Sequence, residues 1–356
     1  MMTDEKAALH IQFWNNEKTK VPIVSYRFSE DSFFPLRYEA SKRLLIPGKV
    51  IKPEDIVVED FIEDYRMYMQ WSEQVGQTGF YGIEPINSFP WIEAMCGCEI
   101  VATPSSFVSE PFMESPEEYE KIVLSNDNPW FIKYKEFMSK MWAAFDHKVP
   151  IGHPVTRTIS DCMGAVLGQT EMVYAIYDYE DEMKELARRV CDVYLGIIDA
   201  GFEVTGPVEG GYIVGFYHLW APGKIVWFQE DLASIITPDH YNEFVYPQHK
   251  RICDRYDYSL IHQHSASFHI IDGLLRLDGL DVIEINKDIG GMSIPEMIPI
   301  MQKIQKAGKK VLLWGDLTGE EIDLVKEKLE HRGLAFNIVT PTVETAKRLH
   351  QHLMEW

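Results

Sequence analysis

Short apolar runs rich in β-branched residues recur along the chain, most of them closed by a polar or Gly/Pro cluster. Eight have the length of a buried strand: Val21–Arg27, Thr78–Pro85, Lys148–Val155, Lys224–Asp231, Tyr258–His264, Leu280–Asp288, Lys309–Leu317 and Leu334–Pro341. Between the later runs the apolar period lengthens to that of a helix, and the boundaries carry capping residues. Thr237 with Pro238 opens one helix. Ser293 opens a second that Gly308 stops, and Thr318 opens a third that Gly333 stops. "TVETAKRLHQHLMEW" closes the chain as a fourth. Strands alternating with helices of this length predict parallel βα units, and eight of them predict a closed (β/α)8 TIM barrel. The stretch from about Phe34 to Gln74 predicts an N-terminal helical extension, with "IKPEDIVVEDFIEDYRMYMQW" as one long amphipathic helix. A single barrel domain over residues 1–356 is therefore expected.

Charge narrows the partners. A net charge of −21 opposes nucleic acid, anionic membrane surfaces and polyanionic substrates. No apolar run nears the ~20 residues that span a bilayer, and the polar start "MMTDEKAALHIQFWNNEKTK" does not read as a signal peptide. Cys96, Cys98, Cys162, Cys191 and Cys253 are odd in number and scattered, which speaks against a disulfide framework and for a reducing cytoplasm. The glycine-rich "GPVEGGYIVG" lacks the spacing and the following helix of a dinucleotide or phosphate loop.

Chemistry in a barrel collects at the carboxyl ends of its strands. Those ends offer Glu230 and Asp231, His262 and His264, Glu284 and Asn286, and Trp314 and Asp316. Residues i and i+2 share one face of a strand, so His262 and His264 line up. Two imidazoles and a carboxylate make a zinc site with an open fourth position; the same residues, with Glu230 and Asp231, could instead run metal-free acid/base chemistry. Glu243, in the helix after Pro238, and Glu284 are further candidate ligands. "GGYIVGFYHLWAPGK" places Tyr212, Phe216, Tyr217, His218 and Trp220 between glycines and a proline, as a loop that holds a flat apolar ligand or as rings that plug the barrel.

Three stretches resemble the uroporphyrinogen decarboxylase superfamily. "FQEDLASIITPDHYNEFVYPQHKRICD" is similar to its strand followed by "D…ISP..F.EF", "LIHQHSASFHIIDGLLRLDGLDVIEINKDIG" to the unit where "H.CG" or "H.DG" is followed by a leucine-rich helix and "G.D.I..D", and "GKKVLLWGDL" to a later strand. The resemblance runs from about Gly210 to the end. It implies a barrel with one of two activities: cofactor-free decarboxylation of uroporphyrinogen, or methyl transfer through zinc to the cobalt of a corrinoid protein. The decarboxylase's Arg-Gln-Ala-Gly-Arg segment is absent; "VSYRFSEDSFF" offers only Arg27, which counts against porphyrin carboxylates. The methyltransferases hold zinc by a His-X-Cys pair and a later cysteine, where this chain has His262-Gln263-His264 and Asn337.

The resemblance thus implies a methyltransferase acting on a small methylated compound, foremost an aryl methyl ether, with a corrinoid-binding protein as partner. Zinc would be held by His262 and His264 with Glu230, Glu243 or Glu284. His262, Glu230 and Asp231 are the expected catalytic groups, and Arg27, Tyr212, Phe216, His218 and Trp220 the expected substrate contacts. A metal-free lyase and a non-catalytic barrel are the alternatives. The oligomeric state stays open, a homodimer included.

Overall fold

The computed structural model describes residues 3–28 and 35–355. Six parallel strands form the main sheet: β1 (Ile23–Phe28), β2 (Ile225–Gln229), β3 (Tyr258–Gln263), β4 (Val282–Asn286), β5 (Lys310–Gly315) and β6 (Leu334–Thr340). Their order is β1-β6-β5-β4-β3-β2, so consecutive strands are neighbours from β2 to β6 and the first strand closes against the last. Each is buried along nearly its whole length, as expected of a parallel sheet covered on both faces.

A closed barrel of eight regular strands is not what forms. The predicted strands Thr78–Pro85 and Lys148–Val155 run as extended segments that make isolated bridges only, Ile83 to Ile151 and Arg157 to Gln229. Gly79 N–H reaches Val24 O at 2.8 Å on the β1 side. Thus the sheet curls and its edges are spanned, but without two full ladders. The physical reason is visible in the residues. Pro85, Pro150 and Pro154 have no N–H to give. A hairpin, Tyr212–Val214 paired with Leu219–Ala221, competes for the rest: Phe80 N–H donates to His218 O at 3.0 Å. The hairpin backbone comes so near that a Cβ on Gly152 would lie 2.5 Å from Ile213 O.

This hairpin fills the inside of the curl. Phe216, Tyr217 and Leu219 pack with Trp227, Leu260, Val282, Leu312 and Trp314, all inward-facing strand residues. The helix Asp4–Trp14, not expected from the polar start of the chain, closes against it: His10 Nδ1 and Trp14 Nε1 both reach Trp220 O, at 3.0 and 2.7 Å. Thr3 caps that helix, with Asp4 and Glu5 in its first turn, a start signal outweighed at sequence level by the low apolar content.

The expected caps appear at Thr237, Ser293 and Thr318. The helix after Thr237 is interrupted by a π turn, Tyr241–Val245, before Tyr246–Arg255; Pro247 lacks the N–H that would continue a regular ladder. The predicted N-terminal helical extension starts at Phe34, outside the described residues. Within it, Asp55 accepts from Lys52 N and Lys49 Nζ, ending a short 3-10 turn, and the long helix begins only at Ile62 and runs to Val75. Among the described residues no helix is long and apolar enough to cross a membrane.

Candidate metal centre

Register places the site. His262 on β3 pairs with Glu284 on β4, and both face inward with Leu260 and Val282. His262 Nδ1 meets Glu284 Oε2, and Tyr217 Oη from the hairpin donates to the same oxygen at 3.1 Å. His264 lies just past the end of β3, in the loop that opens the turn Ser265–Ile270. Its Nδ1 meets Asp288 Oδ1 at 2.5 Å, and Asn286 Nδ2 donates to that oxygen at 2.6 Å. Each imidazole therefore has a carboxylate on its Nδ1.

What remains of the two rings points inward. His262 Nε2 and His264 Nε2 are 3.0 Å apart, with the rings at 88°. If both Nδ1–H groups go to carboxylates, both Nε2 atoms carry lone pairs, and such a contact requires a proton or a metal ion between them. Asp231 Oδ1 lies 3.5 Å from His264 Nε2 and has no hydrogen-bond partner among the described residues. Its other oxygen accepts from Gln229 Nε2 at 2.9 Å. Asp231, His262 and His264 each offer a ligand atom within 4.8 Å of the others, so this group could hold a metal ion. Nitrogen and oxygen donors with carboxylates behind the histidines suit zinc.

Electrostatics follow from the crowding. Burial by itself lowers the His264 pKa, but Asp231 and Asp288 outweigh it and carry the imidazole up to about 10. Burial raises Asp231 and Asp288, yet the histidines hold both carboxyls below their ordinary value. The ring that a metal would meet is thus one whose proton is held by neighbouring anions, and a cation in its place would meet the same anions.

The remaining sequence candidates lie elsewhere. Glu230 points away from the inside of the sheet. It accepts from Ile159 N, Ser160 N, Thr158 Oγ1, Ser160 Oγ and His249 Nε2, at 2.5–2.8 Å, and caps the helix Ile159–Leu167. It is neither a ligand nor a catalytic neighbour in this geometry, because alternation turns it outward from Gln229. Glu243 lies on the surface, paired with Lys184 at 2.9 Å. Glu284 stands behind His262 rather than in the ligand group. Tyr212, Phe216, His218 and Trp220 belong to the hairpin and form no mouth: Phe216, His218 and Trp220 are buried and Tyr212 packs on Phe202. Arg27 is buried against the hairpin, its guanidinium 3.8 Å from the Phe216 ring centroid and bonded to Phe216 O. Asn337, at the position of the absent cysteine, donates to Ser25 Oγ at 2.6 Å. Reasoning from sequence missed Asp288, and it had Tyr217 only as one ring of an aromatic loop, not as the partner of His262 and Glu284.

No model of a known protein family matches the chain, and no curated protein matches it either.

Proposed function

We propose that this chain is a metal-dependent methyltransferase that moves a methyl group from a small methylated compound, an aryl methyl ether foremost, to the cobalt of a corrinoid held by a partner protein. The supporting observation is the convergence of His262 Nε2, His264 Nε2 and Asp231 Oδ1, with Glu284 and Asp288 behind the two rings. The likeness of Gly210 onwards to the zinc methyltransferases of the uroporphyrinogen decarboxylase superfamily supplies the reaction type.

His262, His264 and Asp231 would hold zinc, whose contribution when bound is Lewis acidity toward the ether oxygen. In the reaction the O–CH3 bond breaks with its electron pair left on oxygen, and the methyl group joins Co(I). The oxygen leaves as a phenolate and takes a proton from water. Glu284 and Tyr217 orient His262; Asp288 and Asn286 orient His264. These partners keep both Nε2 atoms aimed at one point. Nitrogen and carboxylate donors leave a metal more electrophilic than thiolates do, which suits an ether oxygen. The nucleophile comes from the partner, so the chain needs none of its own.

Two measurements test this reading. Elemental analysis of protein purified without a metal-affinity tag should give about one zinc per chain. The protein mixed with a reduced corrinoid protein and methoxyaromatics should form methyl–cobalt in its absorption spectrum, and His264→Ala should abolish it. Absence of methyl–cobalt with every donor, alongside CO2 release from a carboxylated substrate by chelator-treated protein, would establish the metal-free lyase instead.

A further inference from the structure

Two cavities of about 130 and 350 Å³ adjoin Asp231, and both are also lined by Phe107 and Arg157. Arg157 is the sole cation among the residues lining either one. Its position is set by the backbone: Arg157 bridges Gln229 at the end of β2, two residues before the candidate ligand Asp231. Its side chain keeps 36% of its surface open, while its ion-pair partner Glu93 keeps 2%.

Two of the three anions nearby are already engaged. Asp161 accepts from Asp231 N at 3.1 Å and Leu232 N at 2.7 Å. Glu93 pairs with Arg157 through one oxygen, and Asp231 faces the histidines. The guanidinium differs. It has five N–H donors in a planar fork, and Glu93 meets its Nη2 corner; no other hydrogen-bond or ion-pair partner of that side chain occurs among the described residues. A planar cation with spare donors, open to a cavity, is the arrangement that takes a carboxylate in two-point contact.

The smaller cavity is bounded by apolar surface as well. Phe89, Pro90, Phe107 and Val155 line it, and the Phe89 and Phe107 rings meet edge-to-face with centroids 5.1 Å apart. Ser88, also in the lining, holds a left-handed backbone with φ of 56°. Such a conformation is disfavoured in a non-glycine residue and persists where surrounding structure enforces it.

We infer that Arg157 is a specificity-determining residue and that this cleft takes an aromatic carboxylate. The ring lies against Phe89 and Phe107, the carboxylate sits on the guanidinium, and the far end of the molecule faces Asp231. The inference rests on the methyl-transfer reading, since it names the donor as a methoxyaryl carboxylate rather than a neutral ether. It explains how a chain of charge −21 would accept an anion: through one local cation, in a cleft where Asp161 and Glu93 are already paired.

The test is binding, measured by calorimetry on zinc-loaded full-length protein without any corrinoid. The probes are para-methoxybenzoate and its uncharged amide, para-methoxybenzamide. The acid should bind at least tenfold more tightly than the amide. Arg157→Gln should abolish that preference while leaving amide binding within about threefold, and Arg157→Lys, which keeps charge but loses the fork, should fall between. Equal binding of acid and amide to the natural protein overturns the inference without need of any variant. A preference that survives Arg157→Gln overturns it too, because the carboxylate would then be held by the metal or elsewhere. Failure of the function reads differently: acid preference dependent on Arg157, with no methyl–cobalt formed, would leave the cleft and remove the methyl transfer. Methyl transfer from neutral ethers with equal binding would do the reverse.

Discussion

Glu230 and Asp231 are adjacent in sequence and carry the same chemical group; Glu230 is fully buried and Asp231 partly exposed with its Oδ1 shielded from water, and they do opposite things. Glu230 turns outward into the layer of helices, where five donors surround its two oxygens. Burial works to raise its pKa, but His249, Ser160 and Thr158 hold the carboxyl below its ordinary value. Every partner is itself engaged: His249 Nδ1 meets Tyr241 Oη at 3.1 Å. Asp231 turns toward the mouth of the curl and keeps one oxygen unpaired beside two imidazoles. A buried carboxylate with all lone pairs satisfied is architecture; one held with a lone pair unused is poised for something that must arrive. Satisfaction of the shielded oxygens, rather than charge, separates the two.

That contrast can be broken at either residue. The largest effect is expected at Glu230→Ala, which strands two backbone N–H groups, two hydroxyls and His249 in the interior. Stability should fall by about 3–5 kcal/mol, read from urea unfolding, with zinc content per folded chain unchanged. A loss of zinc from the folded variant would place Glu230 in the site after all. Next is His264→Ala, which should weaken zinc binding at least 100-fold, about 2.8 kcal/mol, and should also lower the urea midpoint of metal-free protein near neutral pH, because Asp231 and Asp288 lose the imidazolium between them. Glu284→Gln should lower zinc affinity about 10–100-fold by releasing the orientation of His262; competition with a chromophoric chelator measures it, and an unchanged affinity would show that the carboxylate serves packing alone.

A satisfied histidine supplies the matching case. His153 Nε2 accepts from Trp227 N at 3.0 Å and its Nδ1 meets Pro154 O, and burial lowers its pKa to about 4. Between pH 6.5 and about 4 the unfolded chain takes up a proton that the folded chain refuses. The stabilisation is complete above pH 6.5 and is lost as pH falls, by about 1.4 kcal/mol per unit for this residue. His153→Gln should flatten that part of the stability–pH curve; a curve as steep as before would assign the slope to other groups. The smallest effect is expected at Glu243→Gln. Its partner Lys184 also pairs with Glu180, so stability should stay within about 0.5 kcal/mol, and zinc content should not change.

The same comparison explains what could be read from sequence. Strand identity for β1 to β6 was legible in the apolar runs, and the inward aim of His262 followed from its alternation with Leu260. Alternation also held the answer for Asp288, which stands at i+4 from Glu284 and i+2 from Asn286 in "EINKD", but a run ending in a charged loop gives no sign that the face continues past the strand. Glu230 and Asp231 could not be ranked, since which of them turns inward depends on the path of the chain after Gln229. The two missing strands looked regular because prolines at their ends are also ordinary strand boundaries. Tyr217 was beyond reach: it meets His262 and Glu284 only because a hairpin enters the sheet from elsewhere. The sequence reads that segment as an aromatic loop between glycines and a proline, because its strands are three residues each, too short to separate from a loop.

The closure of β1 on β6 has a consequence for how the molecule comes into being. Ser25 and Asn337, hydrogen-bonded across that seam, are 312 residues apart, and His10 is bound to Trp220 across 210. The cost of closing a loop rises only by about 0.6 kcal/mol per doubling of its length, but contacts this distant slow the search for them. During synthesis β1 is made first and has no strand to pair with until the last tenth of the chain has emerged. Until then its apolar flank and the inner face of the curl are open, and the hairpin that carries Tyr217 has no enclosed space to occupy. Asp231, His262 and His264 lie at the ends of the adjacent strands β2 and β3, whose pairing needs neither β1 nor β6; what waits for Leu334 is the seam that encloses the hairpin, and with it Tyr217 behind His262.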